Sequence, residues 1–184
     1  MSDAKLKLLL LEDTDSDARR IRSLLDGSRD HKVSLTRVTH VHEVLQTIQR
    51  EAFDLLLVDL CVPDSEGLDT FRRIHAAAHH LPIIVQSGLD ADEVGPEAVR
   101  LGAQDFLVKG AFDEQLLHRA IRYAVERKGA ERALRESEER YAAALAGAND
   151  GIWDWDLRSN QIYLSPRWSE IIGLPRESRV LSPK

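Results

Sequence analysis

Cysteine is almost absent from this chain: Cys61 stands alone among 184 residues. A lone thiol excludes an internal disulfide and any multi-thiolate metal site, and it fits a reducing compartment. Long apolar runs are also missing, since none approaches the roughly 20 residues that a membrane-spanning helix needs. The opening Met1-Ser2-Asp3-Ala4 carries an acid where a secretory signal carries basic residues. The expectation is a cytoplasmic protein with no membrane partner. Positive charge is short as well: the net charge of −6 disfavours nonspecific binding to a phosphate backbone, so no nucleic-acid partner is expected. The remaining composition is that of a folded globular protein, and the length allows one full domain plus a smaller piece.

Up to about residue 128, apolar runs of strand length alternate with amphipathic helical stretches. That alternation is the signature of an α/β fold with a doubly wound parallel sheet, here five-stranded. The strands are expected at 5–11, 32–38, 53–59, 82–86 and 104–108, with the second, more polar one at an edge. Helical stripes recur at Ala18/Ile21/Leu24/Leu25, Val41/Val44/Leu45/Ile48 and Leu68/Phe71/Ile74/Ala78. A fourth helix near 93–101 has the poorest stripe. Gly27 and Gly102 sit where helix C-caps belong.

No proline interrupts residues 113–148, so a long C-terminal helix is expected there, with Gly129 its weak point. A 4-3 spacing through Leu116, Ala120, Tyr123, Arg127, Ala130, Leu134, Ser137, Tyr141, Ala144 and Ala148 offers a seam for a parallel coiled coil, hence a homodimer through 113–148. A solitary solvated helix is the alternative, because charged residues coat the other faces. Asn149-Asp150-Gly151 then breaks the helix, a hairpin is expected from 152–157 and 161–164, and a last helix from 166–173.

Ligands of a doubly wound sheet collect at the carboxyl ends of its strands. Those ends are polar here: Glu12-Asp13 after the first strand, Asp59 closing the third, Ser87-Gly88 after the fourth and Lys109-Gly110 after the fifth. Three carboxylates brought together repel one another and call for a cation, and oxygen ligands without thiolate or imidazole point to Mg²⁺.

These residues resemble the receiver domain of two-component response regulators, a flavodoxin-like fold, over residues 5 to about 127. The family's acidic pair falls on Glu12 and Asp13, its phosphoacceptor on Asp59, its hydroxyl residue on Ser87 and its lysine on Lys109. Pro63 and Gly67 also stand at the family's offsets. The resemblance implies transfer of a phosphoryl group to Asp59 from a histidine kinase or phosphotransfer protein. Mg²⁺ would be held by Asp13, Asp59 and the Cys61 carbonyl, with Glu12 acting through water and Ser87 and Lys109 on the phosphoryl oxygens. It implies a phosphorylated switch without turnover on a small substrate. Ser87 and Phe106 match the switch pair, although Phe106 also reads simply as a half-buried strand residue. Cys61 and Leu89 occupy the positions that flank the water's approach in dephosphorylation. Gly110 departs from the family's frequent proline, so a trans peptide is expected there.

Residues 149–184 resemble the start of a PAS domain, a partial α+β segment, through Asn149-Asp150-Gly151-Ile152-Trp153-Asp154-Trp155 and Ile162-Tyr163-Leu164-Ser165-Pro166-Arg167-Trp168. Its tryptophans read most simply as hydrophobic packing. The organisation expected is a receiver at 1–127, a helical linker at 128–148 and the PAS-like piece at 149–184. A haloacid-dehalogenase-like phosphatase needs aspartate where Cys61 stands, and a transcription factor needs a helix-turn-helix that does not follow. A pseudo-receiver, acting as a phosphorylation-independent protein-binding module, keeps its place as the alternative.

Overall fold

A computed structural model describes residues 5–27, 32–88, 91–148, 151–175, 177 and 179–182. In chain order the elements are β1 (Leu6–Leu11), α1 (Asp15–Asp26), β2 (Val33–Val38), α2 (Val41–Arg50), β3 (Leu55–Asp59), β4 (Cys61–Val62) and β5 (Ser65–Glu66). They continue with α3 (Leu68–Ala78), β6 (Ile83–Ser87), α4 (Ala91–Arg100), β7 (Asp105–Val108) and α5 (Glu114–Ala148). Then come β8 (Trp153–Asp156), β9 (Gln161–Leu164), α6 (Pro166–Ile171) and β10 (Arg179–Leu181). The chain divides into two compact units, Met1–Glu131 and Arg132–Lys184.

In the first unit five parallel strands run in the order β2-β1-β3-β6-β7. Alternate strand residues point to opposite faces, and the core divides accordingly. Leu8 and Leu10 of β1, with Leu55, Leu57, Ile84 and Leu107, pack against Ile21 and Leu25 of α1 and Leu117 and Ile121 of α5. Leu9 and Leu11, with Leu56, Val58, Ile83 and Val85, meet Val44, Phe71, Ile74 and Ala98 of α2, α3 and α4 on the other face. Strands sandwiched this way need apolar residues on both sides, and all five residues of β3 and of β6 are buried. The edge position expected for the second strand is observed, and every residue of β2 is only half-buried.

Some local expectations change. Gly27 ends α1 at φ −69°, an ordinary helical value, so its glycine character is not used there. Gly102 takes φ +114° as α4 ends. Pro96 lies inside α4. The hairpin β4–β5, turning at Pro63-Asp64, was not anticipated. The peptide at Gly110 is trans as expected, with φ +84°. In α5, Ala120 of the proposed seam is buried in the domain's own core and Leu116 is packed against it, so the open part of that seam starts at Tyr123. Ala148 is outside the described side chains.

In the second unit an antiparallel sheet runs β10-β9-β8. The Ser165 side chain caps α6 by accepting from Trp168 N at 3.2 Å, and also accepts from Ile152 N at 2.9 Å. Gly151 is needed because a β-carbon there would lie 2.7 Å from the Trp168 Cα. Asn149 and Asp150, expected to break the helix, lie outside the described residues. The last helix stops at Ile171, two residues short of the expected end, and Gly173 follows at φ +80°. The strand β10 was missed. The tryptophans, read from the sequence as hydrophobic packing, are partly open: Trp153 is 54% exposed and Trp155 is 44% exposed.

Candidate functional site

The sheet register explains why distant residues meet. Leu11 pairs with Val58 and Val58 with Val85. One residue further along, Glu12, Asp59 and Gln86 form the next row, Asp59 being paired directly with Gln86. Glu12 follows Leu8 and Leu10 in parity, Asp59 follows Leu55 and Leu57, Gln86 follows Ile84, and Lys109 follows Leu107. All four therefore point to the α1 and α5 side of the sheet. Ser87 and Phe106 share the opposite parity with Ile83 and Val85, so the expected switch pair lies on one face.

Lys109 is the hub. Its Nζ lies 2.6 Å from Asp59 Oδ2, 2.8 Å from Glu12 Oε2 and 3.3 Å from Asp17 Oδ2. Glu12 is fully buried and both its oxygens are engaged: Oε1 accepts from Thr14 N at 3.0 Å, and Oε2 also accepts from Gln86 Nε2 at 2.9 Å. Asp59 Oδ1 accepts from Cys61 N at 3.1 Å. Thr70 Oγ1 donates to Leu60 O at 2.9 Å, fixing the turn after the acidic strand end. Asp13 is exposed at the mouth of the cluster.

Burial pushes the carboxyls of Glu12 and Asp59 upward, and this outweighs the hydrogen bonds from Lys109 that pull them down. For Lys109 burial works to lower the value, but bonding to Asp59 and Glu12 wins and raises it, so the ammonium stays charged. One fixed cation thus faces several acids.

The donor set suits a hard divalent cation. Carboxylate oxygens of Glu12, Asp13 and Asp59 lie within 4.8 Å of one another, with no sulfur or imidazole among them. Since Glu12 is turned inward to Lys109 and Gln86, Asp13 and Asp59 are the acids left to face an incoming ion.

The sequence-expected residues Glu12, Asp13, Asp59, Cys61, Ser87 and Lys109 all sit at the carboxyl end of the sheet, and Phe106 is half-buried beside α4. Leu89 lies outside the described residues. Three contributors were not foreseen. Asp17 stands in the first turn of α1, just after the acidic pair, and Gln86 is a polar residue inside an apolar strand; both were visible signals. Arg37 bonds the carbonyls of Glu12 and Asp13, each at 2.8 Å, and nothing in its own strand announces that.

The family model described as "Response regulator receiver domain" matches residues 8–122. The regulatory protein LuxO of Vibrio cholerae is 31% identical over 122 residues, covering 65% of this chain and 26% of that protein. The 3′,5′-cyclic-nucleotide phosphodiesterase regA of Dictyostelium discoideum is 28% identical over 96% of this chain and 23% of its own length. This chain therefore spans about a quarter of these curated relatives. Among solved structures, a response regulator receiver domain protein of Clostridium thermocellum superposes with a TM-score of 0.59 at 24% identity, covering 68% of this chain and 98% of that one. The signal receiver domain of a putative LuxO repressor protein from Vibrio parahaemolyticus gives 0.62 at 22% identity, covering 71% and 98%.

Proposed function

We propose, from the premise that this chain belongs to the response regulator receiver family, that Asp59 is its phosphoacceptor and that the chain serves phosphorelay signalling from a histidine kinase or phosphotransfer protein. The observation that carries this reading is the short contact of Lys109 Nζ with Asp59 Oδ2, 2.6 Å, beside the exposed Asp13. An Asp59 carboxylate oxygen attacks phosphorus in line with the bond to the donor imidazole. The new O–P bond forms as the N–P bond breaks, and the imidazole keeps the electron pair. The ammonium of Lys109 moves from the Asp59 carboxylate to a phosphoryl oxygen, and the Ser87 hydroxyl donates to another. Phosphoryl transfer demands mostly positioning and neutralisation of oxygens, and Mg²⁺ held by Asp13, Asp59 and the Cys61 carbonyl, with Glu12 behind it through water, would supply the remaining positive charge. Glu12 and Gln86 keep Lys109 aimed while Asp59 reacts.

Residues 1–127 act in this reading as the receiver, 128–148 as the helical link and 149–184 as the start of a PAS-like module to which the switch is passed. Ser87 and Phe106 begin that relay. The chain is a phosphoacceptor rather than a turnover enzyme. Incubation with acetyl phosphate and Mg²⁺, read by mass spectrometry of the intact chain, tests the proposal. One phosphoryl group should appear, depend on Mg²⁺ and be lost in Asp59→Asn. A folded wild-type chain that takes no label is instead a pseudo-receiver, a binding module.

A further inference from the structure

We infer that Arg37 is a positioning residue for the divalent cation, holding the loop after β1 so that Asp13 presents its carboxylate beside Asp59; this rests on the receiver reading of the site. Strand pairing between β1 and β2 runs in register from Leu6↔Val33 to Leu11↔Val38, and continues one step further through Glu12 N to Val38 O at 3.0 Å. Beyond that point β2 has turned away, and the carbonyls of Glu12 and Asp13 have left the ladder. The guanidinium of Arg37 takes over there. Its Nε donates to Glu12 O at 2.8 Å and its Nη2 to Asp13 O at 2.8 Å. These are the carbonyls of the two acids that open the cluster, held by one planar fork with its donors in fixed relation.

A positive side chain beside a cation site ought to repel the ion. Here Arg37 Nη1 is paired with Asp15 Oδ1 at 2.6 Å. The pair carries little net charge, so Arg37 acts through hydrogen bonds to the backbone. With the fork removed, the Glu12 carbonyl loses its bond and the Asp13–Thr14 peptide is held only by the Thr14 N bond to Glu12 Oε1 at 3.0 Å, so rotation about the Asp13 backbone swings its carboxylate away from Asp59. The arginine touches neither metal nor phosphoryl group. Its effect is on where a ligand points.

Calorimetric titration of the full chain with MgCl₂, alongside melting temperatures without metal, separates positioning from bracing of the fold. Arg37→Met keeps the stem and loses the fork; Arg37→Lys keeps the charge and loses the paired geometry. Both are expected to bind Mg²⁺ about tenfold more weakly, while phosphorylation from acetyl phosphate returns to the wild-type extent at saturating Mg²⁺. Asp15→Asn leaves the fork but uncovers its charge, so its smaller loss of affinity should fade as ionic strength rises, whereas the Arg37→Met loss persists. A folded Arg37→Met or Arg37→Lys chain with Mg²⁺ affinity within twofold of wild type overturns the assignment. If Arg37→Met does not fold, Arg37→Lys alone decides. No Mg²⁺ binding by the wild type removes the metal reading of the site itself, and this inference with it.

Discussion

Phe106 lies so close over Gly95 that a β-carbon on the glycine would meet the ring at 2.4 Å. The ring projects from β7 onto α4, so the helix supplies a seat that only glycine leaves open. Gly95→Ala gains about 1 kcal/mol of helix propensity but overpacks this contact, which costs about 1–3 kcal/mol. We expect a net destabilisation of about 1 kcal/mol that disappears when Phe106 is also replaced by alanine. Urea denaturation of the two single variants and the double variant measures the coupling, and additive effects would refute it.

The alternation of apolar runs placed all five sheet strands and their order of polarity, because burial on both faces leaves little freedom in composition: β3 and β6 have no exposed residue. Strand ends likewise located the acids and Lys109. What escaped was determined by side-chain reach across the fold. Arg37 and Asp17 bond residues in other elements, and their partners depend on sheet register and helix phase, which local pattern does not encode. The seam of α5 was misjudged at Ala120 for a related reason: a helix stripe spaced for a partner is equally spaced for the sheet beneath it.

Glu12 and Asp13 are adjacent in sequence but face different surroundings. Glu12→Ala leaves Gln86 Nε2 and part of the Lys109 bonding unmet in a buried place and should cost about 1–3 kcal/mol of stability. Asp13→Ala should leave stability nearly unchanged and weaken Mg²⁺ binding far more than Glu12→Ala does. Equal losses in a metal titration would contradict this division.

Asp64 ties the β4–β5 turn to the start of α2. Burial works to raise its carboxyl, but hydrogen bonds from Val41 N, His42 N and the His42 ring overcome this and bring it to about 2, from 3.8. A lowered carboxylate contributes stability above its unfolded value of 3.8 and loses it as pH falls through about 2. Asp64→Asn should therefore cost about 1–2 kcal/mol at neutral pH, and its deficit relative to wild type should narrow between pH 4 and pH 2. Chemical denaturation across that range provides the check; a constant gap would mean the amide bonds are not charge-assisted.

Cys61 is exposed, and its backbone N–H is bonded to Asp59 Oδ1. Its thiol is a weak partner for water, so the attacking water in dephosphorylation should be badly positioned and the phosphorylated state slow to decay. Cys61→Asn is expected to speed loss of the phosphoryl label about tenfold, or ~1.4 kcal/mol in the barrier. An unchanged rate in excess Mg²⁺ would favour gating by the loop after Ser87.

Along α5, Tyr123, Leu134 and Tyr141 are exposed on the seam that remains open beyond the buried Ala120. We expect a homodimer through this stretch, detected by sedimentation at tens of micromolar. Leu134→Glu should shift it to monomer. A wild-type monomer with and without a phosphoryl mimic would count against the seam.

Lys109 stands 50 positions after Asp59 and 92 after Asp17, yet meets both. On the ribosome, the acids of β1 and β3 are made first, and at roughly 5–20 residues per second the lysine follows Asp59 by a few seconds. Until β7 docks at its edge of the sheet, the acids have no ammonium beside them. The long sequence separation thus makes the charge balance of the acidic cluster one of the last things completed as the sheet is built.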